Sequence, residues 1–317
     1  MGTQRATRTG AVVVTGASSG IGRACALHLA ALGFQVFAGV RQPEDGAALR
    51  AASSDRLTPV LLDVADETSI RAATETITAA VGAAGLAGLV NNAGIGVAGP
   101  LEFLPLAEFR TQLEVNVTGQ LAVTQALLPL LRQGHGRIAN MGSIGGRIAS
   151  PFVGPYSASK FALEALTDAL RMELRPWGLH VAIVEPGTVA TPIWEKSVAR
   201  ADRLMQALPP QAQTLYGAAF TAMRAGAERT GKERLGVPPE VVARAVAHAL
   251  TAGKPKTRYL VGWDARIAVL FTLVPDRLRD RVILRQVGLA HWRGGAAPRQ
   301  PHSALGADGS PHQTGRV

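Results

Sequence analysis

The chain has a single cysteine, Cys25, among its 317 residues. That excludes an intrachain disulfide and fits a reducing compartment, so the expected location is cytoplasmic. Cys25 falls inside a helical pattern and reads as a buried side chain, not a nucleophile. The seven histidines are scattered, with no H-x-x-x-H pair, and no metal site is expected. Acidic residues are scarce: 23 carboxylates stand against 33 lysines and arginines, a net charge of +10. A basic excess can point to nucleic acid or to an anionic membrane surface. Much of it lies after Lys254, from Lys256 and Arg258 to Arg316, and reads as a solvated or surface-docking tail. No nucleic-acid partner is expected. Residues 1–10 are polar and basic, without the apolar stretch of a signal peptide. No apolar run approaches the ~20 residues that span a bilayer. The longest, over residues 267–275, is too short.

Apolar residues and glycine are plentiful. Hydrophobic residues make up 47% of the chain, enough for a sizeable core, and 35 glycines suit tight βα turns. Residues 11–14 form a β-branched run that ends at once in Thr15-Gly16-Ala17-Ser18-Ser19-Gly20-Ile21-Gly22. A helical apolar pattern follows and stops at Gly33. In this strand–turn–helix context, Gly16 allows a sharp turn. Gly20 and Gly22 let backbone approach a pyrophosphate at the helix N-terminus. The spacing is G-x-x-x-G-x-G. A second strand over 35–40 ends at Arg41, with no carboxylate before Glu44. An acidic residue there would hold ribose hydroxyls, whereas arginine accommodates a 2′-phosphate. NADP is therefore the expected cofactor, with NAD as the second option. Ser18 adds a hydroxyl donor nearby.

Further strands are expected over 58–62, 88–90, 137–141, 180–184 and 259–262. Helices are expected over 66–81, 108–132, from Tyr156 to about Arg175, and over 238–252. Near-continuous apolar strands alternating with helices mean a parallel sheet covered on both faces. There is no fixed-period repeat and no interdomain linker. The expected fold is α/β, a doubly wound parallel sheet of about seven strands in one domain over 11–262. The polar and glycine-rich groups all follow strands or lie on helices that can face that edge, where such sheets bind ligands.

Tyr156 and Lys160 stand four apart on one helix face. A phenol with an ordinary pKa of about 10 is a poor base near neutrality. A neighbouring ammonium favours the phenolate and lowers that pKa. The pair suits proton exchange with an alcohol or its carbonyl.

Taken together, Thr15-x-x-x-Gly20-x-Gly22, Asn91-Asn92-Ala93-Gly94, Asn116, Ser143, Tyr156-x-x-x-Lys160 and Pro186-Gly187 resemble the short-chain dehydrogenase/reductases, whose core is a Rossmann-type sheet. The likeness spans residues 10–262. Residues 143–147 and 155–164 look like the retinol and 17β-hydroxysteroid dehydrogenase branch. The resemblance implies that Tyr156 is the general acid/base and that Lys160 lowers its pKa and binds the nicotinamide ribose. It implies that Ser143 stabilises charge on the substrate oxygen and that Asn116 holds a water linking Lys160 to solvent. Gly16, Ser18, Ser19, Gly20, Ile21 and Gly22 would cradle the cofactor. Asp63 and Val64 would flank its adenine, and Asn91, Ala93 and Gly94 would line it. Pro186, Gly187 and Thr188 would border the nicotinamide, with Thr191 near the pyrophosphate.

In this family the stretch 188–237 is a substrate lid. Here it carries Ile193, Trp194, Met205, Leu208, Leu215, Tyr216, Phe220 and Met223. That content fits a lipophilic alcohol or ketone, and equally fits helix packing within the lid. Residues 263–293 mix apolar residues with arginines. They suit a peripheral membrane contact, closure of the pocket, or packing on a partner subunit. Residues 294–317 are Gly/Pro-rich and polar, a composition that does not fold alone. The family habit implies a homodimer or homotetramer, with Leu113, Val117, Leu121, Leu163, Leu166 and Leu170 as the facing positions. The expected activity is alcohol–carbonyl interconversion on a small molecule. The competing reading is a dinucleotide-binding sensor or scaffold, which needs only the glycine turn. An epimerase or dehydratase on nucleotide sugars is disfavoured by the apolar lid.

Overall fold

The computed structural model describes residues 9–52, 55–233 and 235–294. Most of the expected N-terminal extension, and the tail from 295 onward, lie outside the described residues. Seven strands build the sheet: β1 (Ala11–Val14), β2 (Gln35–Val40), β3 (Leu57–Leu61), β4 (Leu86–Asn91), β5 (Arg137–Met141), β6 (His180–Pro186) and β7 (Arg258–Val261). They pair in parallel throughout, in the order β3-β2-β1-β4-β5-β6-β7. The order reverses between β1 and β4, which opens a crevice at their carboxyl ends.

The helices are α1 (Gly20–Ala31), α2 (Pro43–Ala51), α3 (Glu67–Val81), α4 (Leu106–Leu113), α5 (Gly119–Gln133), α6 (Gly154–Glu173), α7 (Ile193–Ala207), α8 (Pro210–Lys232), α9 (Pro239–Thr251), α10 (Trp263–Leu270) and α11 (Asp276–Gln286). Alternate residues of each strand point to opposite faces. Val12 and Val14 therefore join Cys25 and Leu29 of α1 and Val242, Val246 and Leu250 of α9. Val13 and Leu89 join Ile70 and Ile77 of α3 and Leu127 and Leu131 of α5 on the other side. Asp66 starts α3 by accepting a 2.8 Å hydrogen bond from the Thr68 N–H, a cap worth about 1 kcal/mol.

The expected helical stretch over 108–132 runs unbroken from Leu106 to Gln133, with a π turn at Glu114–Thr118 between α4 and α5. A Cβ on Gly119, just past the turn, would overlap the Val64 carbonyl oxygen, so the backbone there approaches the loop after β3 as only glycine can. The sixth strand runs on through Glu185 and Pro186, because β7 pairs with it there.

A third apolar cluster stands apart from the sheet. Val97, Leu104 and Phe152 meet Leu204, Met205, Leu208 and Phe220 of α7 and α8, and Leu289 beyond α11. Met205, Leu208 and Phe220 are thus spent on packing within the lid. Trp292 stacks at a tilt on Phe152 and Tyr216, 6.1 and 5.7 Å between ring centres. The far end of the described chain therefore packs on the lid. Among the described residues no helix is long and apolar enough to cross a membrane.

Candidate active site

The glycine turn after β1 is shaped for close backbone approach. Gly16 and Gly20 have φ of +63° and +56°, where a side chain is strained. A Cβ on Gly22 would overlap the Gly16 carbonyl oxygen. Ser19 makes no side-chain cap on α1, and the first turn carries no acidic residue. The leading N–H groups of α1 and its dipole are left to attract an anion. Thr191 lies beside the turn, its Cβ 3.3 Å from where a Gly20 Cβ would be. This cradle fits a dinucleotide pyrophosphate. Ser18 and Ile21 sit half-buried around it, and Arg41 stands exposed just past β2.

The loop after β4 is tied to this turn by Thr15, a residue the sequence argument used only as part of a motif. Its Oγ1 accepts 2.9 Å hydrogen bonds from the N–H groups of Asn92 and Ala93. Asn92 Nδ2 donates to the carbonyls of Thr15 and Gly16 at 3.0 and 3.1 Å. The motif assigns Asn91 to the lining of the cofactor, but its side chain turns inward. Its Nδ2 donates to Thr124 Oγ1 and Asn140 Oδ1, at 2.8 and 2.9 Å. Ala93 and Gly94 remain at the edge, and the Ala93 carbonyl accepts from Gln120 Nε2 at 2.9 Å. Asp63 Oδ1 accepts from the Ala65 N–H at 3.0 Å, which shapes the turn, and Val64 is buried beside Gly119.

Ser143, Tyr156 and Lys160 come together at the ends of β5 and α6. The Tyr156 ring lies over Gly145, whose Cβ would be 3.1 Å from Cε1. Ser143 Oγ accepts from the Gly145 N–H at 3.1 Å and lies close to the Tyr156 phenol. Burial pushes the phenol above its ordinary pKa, and Ser143 works against that rise. Lys160 is held by the backbone here. Its Nζ donates to the Met141 carbonyl at 2.6 Å and stands 5.8 Å from the phenol ring centre. Burial brings Lys160 down to about 8, while Glu164, one turn along α6, pulls it back up.

Asn116 is buried in the π turn, and its amide is fully engaged. Nδ2 donates to the Ile95 carbonyl at 3.1 Å and to Ser159 Oγ at 3.0 Å, and Oδ1 accepts from the Ile95 N–H at 2.9 Å. The side chain therefore leaves no N–H for a water. Gln112 acts with it, accepting from the Val97 N–H at 2.7 Å and donating to the Ile95 carbonyl at 3.0 Å. Gln112 and Ser159 escape a reading of the sequence, because a lone polar residue in a helical pattern carries no signal of burial. Cys25 is buried and pushed up to about 12, which leaves it an inert thiol.

Pro186, Gly187 and Thr188 close the site on the far side. Asp264, at the start of α10, places its Oδ2 2.5 Å from the Thr188 N–H and accepts from it. Oδ1 accepts from the Ala265 N–H at 2.9 Å. A Cβ on Gly187 would overlap that carboxylate, so only glycine leaves it room. The C-terminal extension thereby holds the turn expected to border the nicotinamide.

The comparisons agree with this geometry. The model of the short chain dehydrogenase family matches residues 10–202. Retinol dehydrogenase 5 of Mus musculus is 41% identical over 278 residues, 86% of this chain and 87% of that protein. The 17-beta-hydroxysteroid dehydrogenase type 6 of Bos taurus is 38% identical over 278 residues, again 86% and 87%. The crystal structure of a short chain dehydrogenase from Burkholderia cenocepacia J2315 in complex with NADP superposes with a TM-score of 0.64. It is 26% identical, and the match covers 88% of this chain and 98% of that one. A seven-stranded parallel sheet, a glycine turn at its reversal point and a Ser143–Tyr156–Lys160 site make this chain an enzyme of the short-chain dehydrogenase/reductase family, in the branch of the retinol and 17β-hydroxysteroid dehydrogenases.

Proposed function

We propose that the enzyme interconverts a lipophilic alcohol and its carbonyl by hydride transfer to or from a nicotinamide dinucleotide, with NADP preferred. The carrying observation is the cluster of Ser143, Tyr156 and Lys160 beside the glycine cradle. The dinucleotide, when bound, supplies the hydride acceptor or donor. The chain supplies the rest. Ser143 Oγ, close to the phenol, donates to the substrate oxygen. Tyr156 Oη takes the alcohol proton during oxidation or gives one to the carbonyl during reduction. Lys160, released from Met141, reaches the ribose and stabilises the phenolate by its charge. The α1 N-terminus receives the pyrophosphate.

NADP preference is supported by Arg41, exposed at the end of β2 with no carboxylate beside it. A lipophilic substrate is supported by the apolar lid and by the names of the two relatives. The half-exposed Val117 in the π turn, Leu121 on α5 and Leu166 and Leu170 on α6 support a homo-oligomer, although Leu163 is spent in the core. Trp263, Ile267 and Leu270 face outward at helical spacing on α10, next to Arg266, and support contact with a membrane surface. A reducing, cytoplasmic compartment fits the single buried thiol.

The test is a panel of retinoids, steroids, aliphatic ketones and aldehydes run with NADPH and NADH, with the alcohols run in reverse. Turnover on an apolar carbonyl with NADPH favoured is the expected result. Cofactor binding without turnover on any of them would favour the sensor reading.

A further inference from the structure

Two glutamates are buried behind the catalytic residues. Glu164 stands on α6, one turn beyond Lys160. Glu185 stands at the end of β6, just before the Pro186-Gly187 turn. They are 7% and 1% exposed. Each has one carboxyl oxygen, Oε1, buried with no hydrogen-bond partner.

The surrounding cations are shared out, and none of them reaches either Oε1 within hydrogen-bond distance. Arg147, which closes the turn after Ser143, sits between the two, with Nε 3.5 Å from Glu185 and Nη1 3.7 Å from Glu164. Both distances are too long for hydrogen bonds. Arg258 on β7 pairs with Glu164, but it divides its charge with Asp168 on α6, 2.5 Å away. Asp168 also holds Arg171. Lys160 is the remaining cation nearby. Two carboxylates forced together in a dry site do not both ionise, since like charges and desolvation each oppose it. A proton held on Glu164 lowers the charge buried beside Glu185 and gives an orphaned oxygen a role.

We propose that Glu164, buried beside Glu185, is a second proton site of the enzyme, exchanging a proton near neutral pH and acting as a positioning residue for Lys160. Burial first, and Glu185 second, raise Glu164 to about 7. On release, the proton leaves Glu164 for solvent, and a full negative charge appears one turn from the Lys160 ammonium. That charge holds Lys160 protonated, and protonated Lys160 favours the Tyr156 phenolate. Alcohol oxidation therefore gains as Glu164 ionises, and carbonyl reduction loses correspondingly.

The proton site stands on the geometry, and its effect on rate rests on the proposed activity, so two measurements are combined. The first is infrared difference spectroscopy of the full chain between about pH 6 and about pH 8.5, which brackets the ordinary range of such a raised carboxyl. Wild type should lose a protonated-carboxyl C=O band over that interval. Glu164→Gln should lack the band, and Glu185→Gln should shift its loss to lower pH. The second is kcat/KM for alcohol oxidation against pH, for the three proteins. Wild type should show an extra rise through about pH 7, of roughly 3- to 10-fold. That rise should vanish in Glu164→Gln and move to lower pH in Glu185→Gln, with melting temperatures reporting that both variants fold. A uniform loss of rate with unchanged profile shape, or no carboxyl band in wild type, would overturn the proposal. A band that behaves as described in a protein without turnover supports the proton site and overturns the oxidoreductase reading instead.

Discussion

The cofactor edge of the sheet and the lid above it are both assembled from distant parts of the chain, but different forces hold them. At the edge, buried polar groups lock one another: Thr15 to the Asn92 and Ala93 amides, Asn91 to Asn140, Asn140 to Thr167, Asn116 to Ser159. In the lid, Phe103, Phe152, Tyr216, Phe220 and Trp292 meet through ring edges and tilted faces about 6 Å apart. Hydrogen bonds fail when displaced by about half an ångström. Apolar contacts have no such directional limit, so one ring contact can be exchanged for another, although a gap of about 0.5–1 Å already forfeits about a quarter to a half of the dispersion. The edge is therefore built for fixed positions, as proton and hydride transfer require, and the lid for a volume that can adapt.

Substitutions in each region should separate these properties. The largest effect is expected at the edge. Tyr156→Phe removes the proton carrier and should lower kcat by roughly 10²- to 10⁴-fold, while NADP affinity measured by calorimetry stays nearly constant. Parallel loss of cofactor binding would show that the phenol is structural.

Next comes Lys160, whose burial is a cost to folding. Its pKa is about 8 in the fold against an ordinary 10.5. Below pH 8 both states carry the ammonium, and the fold bears the full penalty of burying it. Between pH 8 and 10.5 the folded state releases its proton first, so the stability associated with Lys160 rises with pH. Lys160→Met should stabilise the protein by about 2–3 kcal/mol at about pH 7, and the gain should fade as pH approaches about 10.5. Urea unfolding of both proteins at several pH values reads this directly. A gap that does not depend on pH would mean the lysine is paired, not merely buried.

Arg41→Asp should be of similar or smaller size. It removes a charge-assisted contact worth on the order of 1–3 kcal/mol, so the NADP/NAD ratio of kcat/KM should fall by roughly 5- to 150-fold. An unchanged ratio would place phosphate recognition elsewhere. The smallest effect belongs to the lid. Trp292→Ala should cost about 1 kcal/mol in stability through its lost ring contacts. It should raise KM for the carbonyl substrate a few-fold and leave KM for NADP alone. A change in the cofactor KM instead would mean that lid and edge are not independent.

The edge is far more legible in the sequence than the lid. Strands announce themselves by β-branched runs, and the residues that follow them must lie at one edge of a parallel sheet. The positions of Gly16 and Ser143 follow from that alone, and Tyr156 follows from its spacing to Lys160 on the next helix. The direction of a side chain does not. Asn91 sits at the right strand end yet points inward, because Thr124 and Asn140 offer it partners that lie 33 and 49 residues away. Asn116 and Gln112 look like ordinary helix residues until the π turn brings them onto the Ile95 backbone. The lid pattern picks out apolar residues but does not say which face one another and which face a substrate. The contacts of Glu164 with Arg258 and of Asp264 with Thr188 span 94 and 76 residues and leave no local trace.

The Asp264 contact also sets an order of events during synthesis. Strands β1 to β6, the glycine turn, Ser143 and Tyr156 all leave the ribosome ahead of Thr188. The turn at Gly187 and Thr188 then waits for a carboxylate encoded 76 residues later. At about 5–20 residues per second, that wait is roughly 4–15 s. During it the nascent sheet has its floor but not its last wall, and β7 has yet to cover the edge of β6. A nascent chain in that interval offers an exposed parallel strand edge, the surface on which a chaperone or a second copy can pair.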